Sequence, residues 1–275
     1  MSNEQNSVVE NPWRRLREFT DARIGLGRAG VSLPTKELLE FQLAHARARD
    51  AVHLPLDLDA TSAALAGLKL EWAAAPICLH SRAEDRMTYL QRPDLGRRIN
   101  DASRELLKAQ HGQLAAEYDL AIVVADGLSS CAVTENLVPF LQALNEKLST
   151  DSASDWRIAP ITLVTQGRVA VGDEVGELLN ARCVMLLVGE RPGLSSPDSL
   201  GLYLTWNPYV GLTDASRNCI SNIRPAGLSY SEAARRAFYL LSEAKRLKLS
   251  GVNLKDRTQD DVVETIASSK NFLIS

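Results

Sequence analysis

The sequence has few cysteines, few aromatic residues, no long apolar run and no excess of either charge, and each shortage removes a class of protein. Cys78, Cys131, Cys183 and Cys219 are its only cysteines. No two lie close enough for a zinc ribbon or a redox dithiol, so they read as free thiols in a reducing compartment. Nowhere does an apolar stretch reach the about 18 residues that suggest a membrane span, and the first ten residues are polar. Charge is nearly balanced, with 31 Lys and Arg against 34 Asp and Glu. A net charge of -3 gives no general pull toward nucleic acid or anionic lipid. A soluble, cytoplasmic chain is expected, with no nucleic-acid or membrane partner.

The usual chemistry of an enzyme is also missing. His45, His53, His80 and His111 are the only histidines, with no His-Glu-x-x-His pair and no link to a cysteine cluster, so no metal site is expected. There is no Gly-x-Ser-x-Gly elbow and no phosphate-binding Walker loop. Gly25, Gly27 and Gly30 imitate a dinucleotide fingerprint but precede any strand, and mark a flexible or tight-turning loop instead. Neighbouring acids such as Asp173-Glu174 and Glu84-Asp85 point to different sides of a helix and read as solvated faces.

What is present is core material. With 275 residues, 45% hydrophobic and 24% charged, the chain has room for one large domain or two modest ones. Asn11 to about Leu120 is rich in Ala, Leu, Arg and Glu and carries almost no strand pattern. Thr35 is the expected cap of a helix reaching about Ala51, with Glu37 and Glu40 in its first turn and Leu39, Leu43 and Ala46 at helical spacing. Further helices are expected over Ala60 to Leu70 and Leu95 to Tyr118.

Beyond Asp119 the pattern changes. Leu120 to Ala125, Ala159 to Thr165 and Cys183 to Val188 are short apolar runs that alternate with helical stretches, as strands of a buried parallel sheet do. Leu200 to Trp206 is a candidate fourth strand. Pro139 interrupts the apolar stretch Val133 to Leu148, so a helix either starts near it or is kinked there. Ser229 and Glu232 form a capping box ahead of Ala233, Ala237, Leu240, Leu241, Ala244 and Leu247, with Gly251 beyond the end. The expected fold is α/β: a Rossmann-like parallel sheet domain over residues 111–254, preceded by a smaller helical N-terminal domain over residues 1–110. A loosely held tail is expected over residues 255–275.

Ligands of open α/β sheets sit beyond the carboxyl ends of the strands. Asp126 to Ser130, Gly167 to Val169 and Gly189 to Gly193 follow the three strands, each short and containing glycine. Each alone reads as a tight turn, with Asp126 and Ser129 or Ser130 capping a helix and Glu190 and Arg191 solvated. Their coincidence at one edge favours a binding rim for a large, mostly neutral ligand, and the lack of an accompanying lysine disfavours phosphate. Arg217 to Ile223 interleaves polar and apolar residues, and Cys219 in it reads as an ordinary buried thiol.

Asn11-Pro12-Trp13, Ala22 to Gly30, Phe41 to His53, Arg92 to Arg97, Ala125 to Ser129, Gly189 to Gly193 and Asn218 to Ile223 together resemble the small-subunit family of ethanolamine ammonia-lyase. The segments occur in family order across about Asn11 to Leu254; Trp206 to Ser216 departs from the pattern. The resemblance implies a heteromeric enzyme that converts ethanolamine to acetaldehyde and ammonia using adenosylcobalamin. It implies that a barrel-shaped large subunit binds the substrate and that this chain caps the corrin, inactive alone. Cofactor contacts are implied at Val169, Glu190 and Cys219: an apolar or main-chain contact, an amide hydrogen bond and a packing contact. No Asp-x-His-x-x-Gly signature is present, so the cofactor is expected to keep its own lower base. Some relatives enter a bacterial microcompartment by an amphipathic start that this polar N-terminus lacks. Two other readings remain: a stand-alone α/β enzyme acting on a nucleotide or ester through Asp126 or Ser129, and a purely structural assembly subunit.

Overall fold

The computed structural model describes residues 8–111, 117–151 and 155–258. At the N-terminal end Val8–Val9 (β1) pairs antiparallel with Arg28–Ala29 (β2). Between them Pro12–Glu18 forms a 3-10 turn, with proline where its missing N–H costs nothing and the Asn11 carboxamide accepting from Trp13 N–H. Gly25, Gly27 and Gly30 all adopt left-handed backbone, the tight-turning alternative for this loop.

Helix α1 spans Thr35–His53. Thr35 is its first helical residue and not its cap; Pro34 holds the cap position, and no side chain serves the free N–H groups there. Helix α2, Leu58–Ala66, is capped by Asp57, whose carboxylate accepts from Ala60 N–H at 2.9 Å, and it ends at Gly67, short of the expected Leu70.

Residues 1–110 are not wholly helical. Ile77–His80 forms a strand, β3, and the structure places it in the main sheet. Helix α3, Arg86–Gln91, follows, capped by Asp85, which accepts from Thr88 N–H at 2.7 Å. The helix expected over Leu95 to Tyr118 is broken into a 3-10 turn at Leu95–Arg97, an extended link bridging Ile99 to Ser81, and helix α4 over Asp101–His111. Ile99 holds the link extended, because its side chain is fully buried and its N–H donates to Glu174 at 3.0 Å. Its partner lies far away in sequence, so no local pattern reveals the break.

The apolar runs do become strands: Tyr118–Ala125 (β4), Thr162–Thr165 (β5) and Ala181–Gly189 (β6). Helix α5, Ser130–Ser149, connects the first two and continues through Pro139 as one helix. Helix α6, Val171–Leu178, connects the second and third. Leu200–Trp206 (β7) and Arg217–Ile223 (β8) complete the sheet but run antiparallel to their neighbours. The strand order is β3-β5-β4-β6-β7-β8, so the first four strands are parallel and the edge is antiparallel. In β8 only Arg217, Ile220 and Ile223 are buried, which is why the segment looks polar in sequence.

Alternation along the strands divides the core into two layers. Leu120, Ile122 and Val124 face Phe140 and Leu144 of α5 and, from helix α7 (Tyr230–Leu247), Ala237 and Leu241. Ala121, Val123 and Ala125 face Leu107 of α4 and Val171 and Val175 of α6. The Ser229 hydroxyl caps α7 by accepting from Glu232 N–H at 3.4 Å, and Lys248, not Gly251, takes the left-handed conformation that ends it. Of the expected tail, residues 255–258 are described and Thr258 is buried; residues 259–275 lie outside the described residues. Among the described residues no helix is long and apolar enough to cross a membrane.

Leu144 is fully buried between α5 and the sheet. Leu144→Ala is expected to lower unfolding stability by about 2–5 kcal/mol through the cavity it leaves. In urea titrations the midpoint should fall with the slope unchanged.

Candidate functional site

At one edge of the sheet a buried carboxylate ties the ends of β4 and β5 together, and Leu128 N–H donates to Gly189 O at the end of β6 at 2.9 Å. Asp126, just past β4, is 1% exposed and accepts from the N–H groups of Gln166 and Gly167, both at 3.0 Å, where β5 ends. The Arg86 guanidinium lies 3.4 Å from the same carboxylate and donates to Val52 O at 2.6 Å and Gln166 Oε1 at 3.2 Å. Burial pushes the Asp126 carboxyl above the usual carboxylate range, opposed by Arg86 and the N–H donors. Asp126 is therefore a clamp between loops and does not cap a helix. Ser129 does cap α5, accepting from Ala132 N–H at 3.1 Å while donating to Pro197 O at 2.7 Å. Ser130 donates to Leu54 O at 2.7 Å.

Around this clamp the loops after β4, β5 and β6 line a cavity of about 380 Å³ formed by Gly127, Leu128, Gly167, Arg168, Val169, Glu190 and Arg191 with Tyr89 and Tyr203. A second cavity of about 670 Å³, between Pro93 to Arg98 and the Val210 to Arg217 loop, shares Arg168, Val169 and Tyr203 with the first. The two form one groove, and Val169 stands where they join.

Glu190 lies within the first cavity and folds back across β7. Its carboxylate accepts from the Ser199 hydroxyl and, at 3.1 Å, from Asn222 N–H of β8. Gly201 permits this path, since a Cβ there would meet Glu190 Cγ and Oε1 at 2.9 Å. Cys219 is the ladder partner of Tyr203, directly beyond the groove wall. Its thiol is exposed, not buried as the sequence suggested. Desolvation still raises its pKa, with Tyr203 acting to lower it and the Glu190 charge to raise it, so it sits there as a neutral thiol. Of the three expected positions, Val169 and Glu190 line the same cavity, while Cys219 is outside its lining, on the strand beside Tyr203.

Asp173 and Glu174 are not a solvated face. Both are buried, at 2% and 3% exposure, beneath the second cavity, and each has its own arginine. Arg217 donates to Asp173 and, at 2.9 Å, to Asp214. Glu174 accepts from Arg98 at 2.8 and 3.0 Å, from Arg104 at 2.9 Å and from Ile99 N–H. Burial alone would raise the Glu174 pKa, but these hydrogen bonds bring it below the usual glutamate range. Adjacent acids aimed at partners far away in sequence leave no periodic signal to find. The lack of lysine was a poor guide as well, since Arg97, Arg98, Arg168 and Arg217 line the cavity.

No histidine lines either cavity, and among the described residues no cluster of three His, Cys, Asp or Glu could hold a metal ion. Arginines, the carboxylates of Asp94, Asp173, Glu190 and Asp214, and apolar side chains line an open groove at the strand ends of an α/β protein. The chain belongs to the ethanolamine ammonia-lyase light chain (EutC) family, whose model matches residues 10–255. It is 56% identical over 268 residues to an ethanolamine ammonia-lyase small subunit of Pseudomonas fluorescens Pf0-1, covering 96% of this chain and 95% of the relative. It is 55% identical over 271 residues to that of Pseudomonas aeruginosa UCBPP-PA14, covering 98% and 97%. With that of Pseudomonas syringae pv. tomato DC3000 the identity is 55% over 268 residues, covering 98% and 91%.

A depressed pKa in the folded state means that the Glu174 carboxylate stabilises the fold above the ordinary glutamate range, and that this contribution disappears as pH falls through its folded value. Glu174→Gln should therefore be less stable than the wild type at pH 7, with the difference shrinking toward acid. Urea midpoints compared across that range measure it.

Proposed function

We propose that this chain is the small subunit of an adenosylcobalamin-dependent ethanolamine ammonia-lyase, which acts with a large subunit to convert ethanolamine to acetaldehyde and ammonia. The observation that carries the reading is the groove at the strand ends, where Val169, Glu190 and the Tyr203–Cys219 pair gather in a chain of this family.

The lining suits one side of a corrin. Leu128, Val169, Val188 and Tyr203 offer apolar surface to a flat ring, while Glu190 keeps acceptor capacity beyond its two internal hydrogen bonds for a rim amide. In the complex Glu190 accepts an amide hydrogen bond, Val169 packs on the ring and Cys219 provides a neutral contact beside Tyr203. Neither cavity presents a histidine, so a cobalamin held here would keep its own base. When bound, adenosylcobalamin supplies the radical chemistry. The large subunit holds ethanolamine, and this chain shields the cofactor from the other side.

The need for a partner is supported by the N-terminal part. Trp13 is 68% exposed and Phe19 83%, and Leu39, Phe41 and Leu43 of α1 are exposed as well. Apolar side chains left uncovered in this part suit a protein contact, and its occupant in this reading is the large subunit. The sheet domain is Rossmann-like, with parallel strands covered on both faces. The complex works in the cytoplasm, and a bacterial microcompartment is a further location implied by the family. The stand-alone reading loses its residues, because Asp126 is buried in the clamp and Ser129 is engaged as a cap and a donor.

Co-expression with the large subunit is expected to give cobalamin-dependent acetaldehyde formation, with little from either chain alone; full activity without this chain overturns the reading. Val169→Trp fills the junction of the two cavities, and is expected to cut corrin retention by at least about tenfold. The large subunit should still co-purify. Unchanged corrin absorbance in the purified variant complex would exclude the groove as the cofactor site.

A further inference from the structure

The groove carries more positive charge than its carboxylates neutralise. Of its arginines, Arg98 is paired with Glu174 and Arg217 with Asp173 and Asp214. Arg97, Arg168 and Arg191 make no ion pair among the described residues. Glu190, the acid lining the first cavity, is already committed to Ser199 and Asn222, and Asp94, lining the second beside Arg97, is paired with Arg92.

Arg168 is held in place with unusual completeness for a residue without a counter-ion. Its guanidinium stacks over the fully buried Tyr89 ring, with Cζ 4.1 Å from the centroid, and its Nη2 donates to Tyr89 O at 3.2 Å. Its backbone N–H donates to Gly96 O at 2.7 Å. Gly96 is needed there, because a Cβ would come within 2.8 Å of Arg168 Cγ. The segment Arg92 to Arg97 is thereby packed directly against this side chain. Nε is buried with no acceptor, and Nη1 makes no hydrogen bond among the described residues. A guanidinium fixed in orientation and lacking an anion is prepared to receive a tetrahedral oxyanion, and fixing it beforehand lowers the entropic cost of binding.

We propose that Arg168, with Arg97 and Arg191 flanking it in the two cavities, forms an anion subsite that takes the phosphodiester of the cofactor's nucleotide loop. The assignment rests on the cobalamin reading above. The amides around the corrin rim are neutral, and the phosphodiester is the anionic group of the nucleotide loop. Arg168 stands at the junction of the cavities, so a ring over Val169 and a tail beside Arg168 occupy one continuous groove.

The test uses the complex with the large subunit and measures equilibrium binding by corrin absorbance. Two probes are compared: adenosylcobalamin, and adenosylcobinamide, which lacks the nucleotide loop and its ring-linked diester. Arg168→Gln is expected to weaken adenosylcobalamin about tenfold and to leave adenosylcobinamide within about twofold, because only the first presents the anion. Arg168→Lys should recover part of the loss. Arg97→Gln, at an exposed position, should give a smaller loss with the same selectivity, independent of any packing defect at Arg168. Equal weakening of both corrinoids, or no change in either, overturns the subsite. So does uptake of adenosine monophosphate by the cobalamin-saturated complex that Arg168→Gln abolishes, since the anion would then come from a free nucleotide. Failure of the wild-type complex to bind adenosylcobalamin at all would remove the proposed function, and this inference with it. Binding by the wild type with an indifferent Arg168→Gln removes the subsite alone.

Discussion

The groove exists because one carboxylate is buried at the end of β4. Asp126 takes two main-chain N–H groups from the loop after β5 and faces Arg86, which in turn reaches the carbonyl of Val52 at the end of α1. Four segments distant in sequence are thus fixed relative to one another by groups with little access to water. A buried charge is costly, and its partners recover that cost only when geometry and hydrogen bonding are complete. The arrangement consequently tolerates little displacement, and it fixes the loops that carry Val169 and Glu190.

A second layer of buried charge supports the first. Glu174 gathers Arg98, Arg104 and the Ile99 N–H, while Asp173 holds Arg217 at the start of β8. These pairs connect α6 to Arg98, Ile99 and Arg104 on one side and to the antiparallel edge of the sheet on the other. The wall of the larger cavity is therefore backed by buried ion pairs, although it consists mostly of loop. Arginines consumed in this way shape the groove, and those left over give it its charge.

Much of the sheet was legible because strands buried on both faces leave continuous apolar runs, as in Leu120 to Ala125 and Cys183 to Val188. Helix α7 was legible from Ser229, Glu232 and its apolar stripe. The failures share a cause. Strand β3 is only four residues long within an Ala- and Leu-rich stretch, and β8 buries only Arg217, Ile220 and Ile223, so that it reads as polar. The break at Ile99, the roles of Asp173 and Glu174 and the clamp at Asp126 all depend on partners about 40 or more residues away, which local patterning cannot contain. At the strand ends, the loops singled out in the sequence line one cavity, and of the positions implied by the family resemblance Val169 and Glu190 lie in it and Cys219 beside Tyr203. Neither the sequence nor the resemblance revealed that Arg168 is stacked on Tyr89.

The exposed apolar residues near the N-terminus bear on how such a protein is made. A newly synthesised copy that emerges before its counterpart displays Trp13, Phe19 and the outer face of α1 to every other copy in the cell. Self-association rises steeply with concentration, whereas capture by the right counterpart depends on that counterpart being nearby. In the proposed complex, balanced synthesis of the two polypeptides shortens the time these side chains stay uncovered.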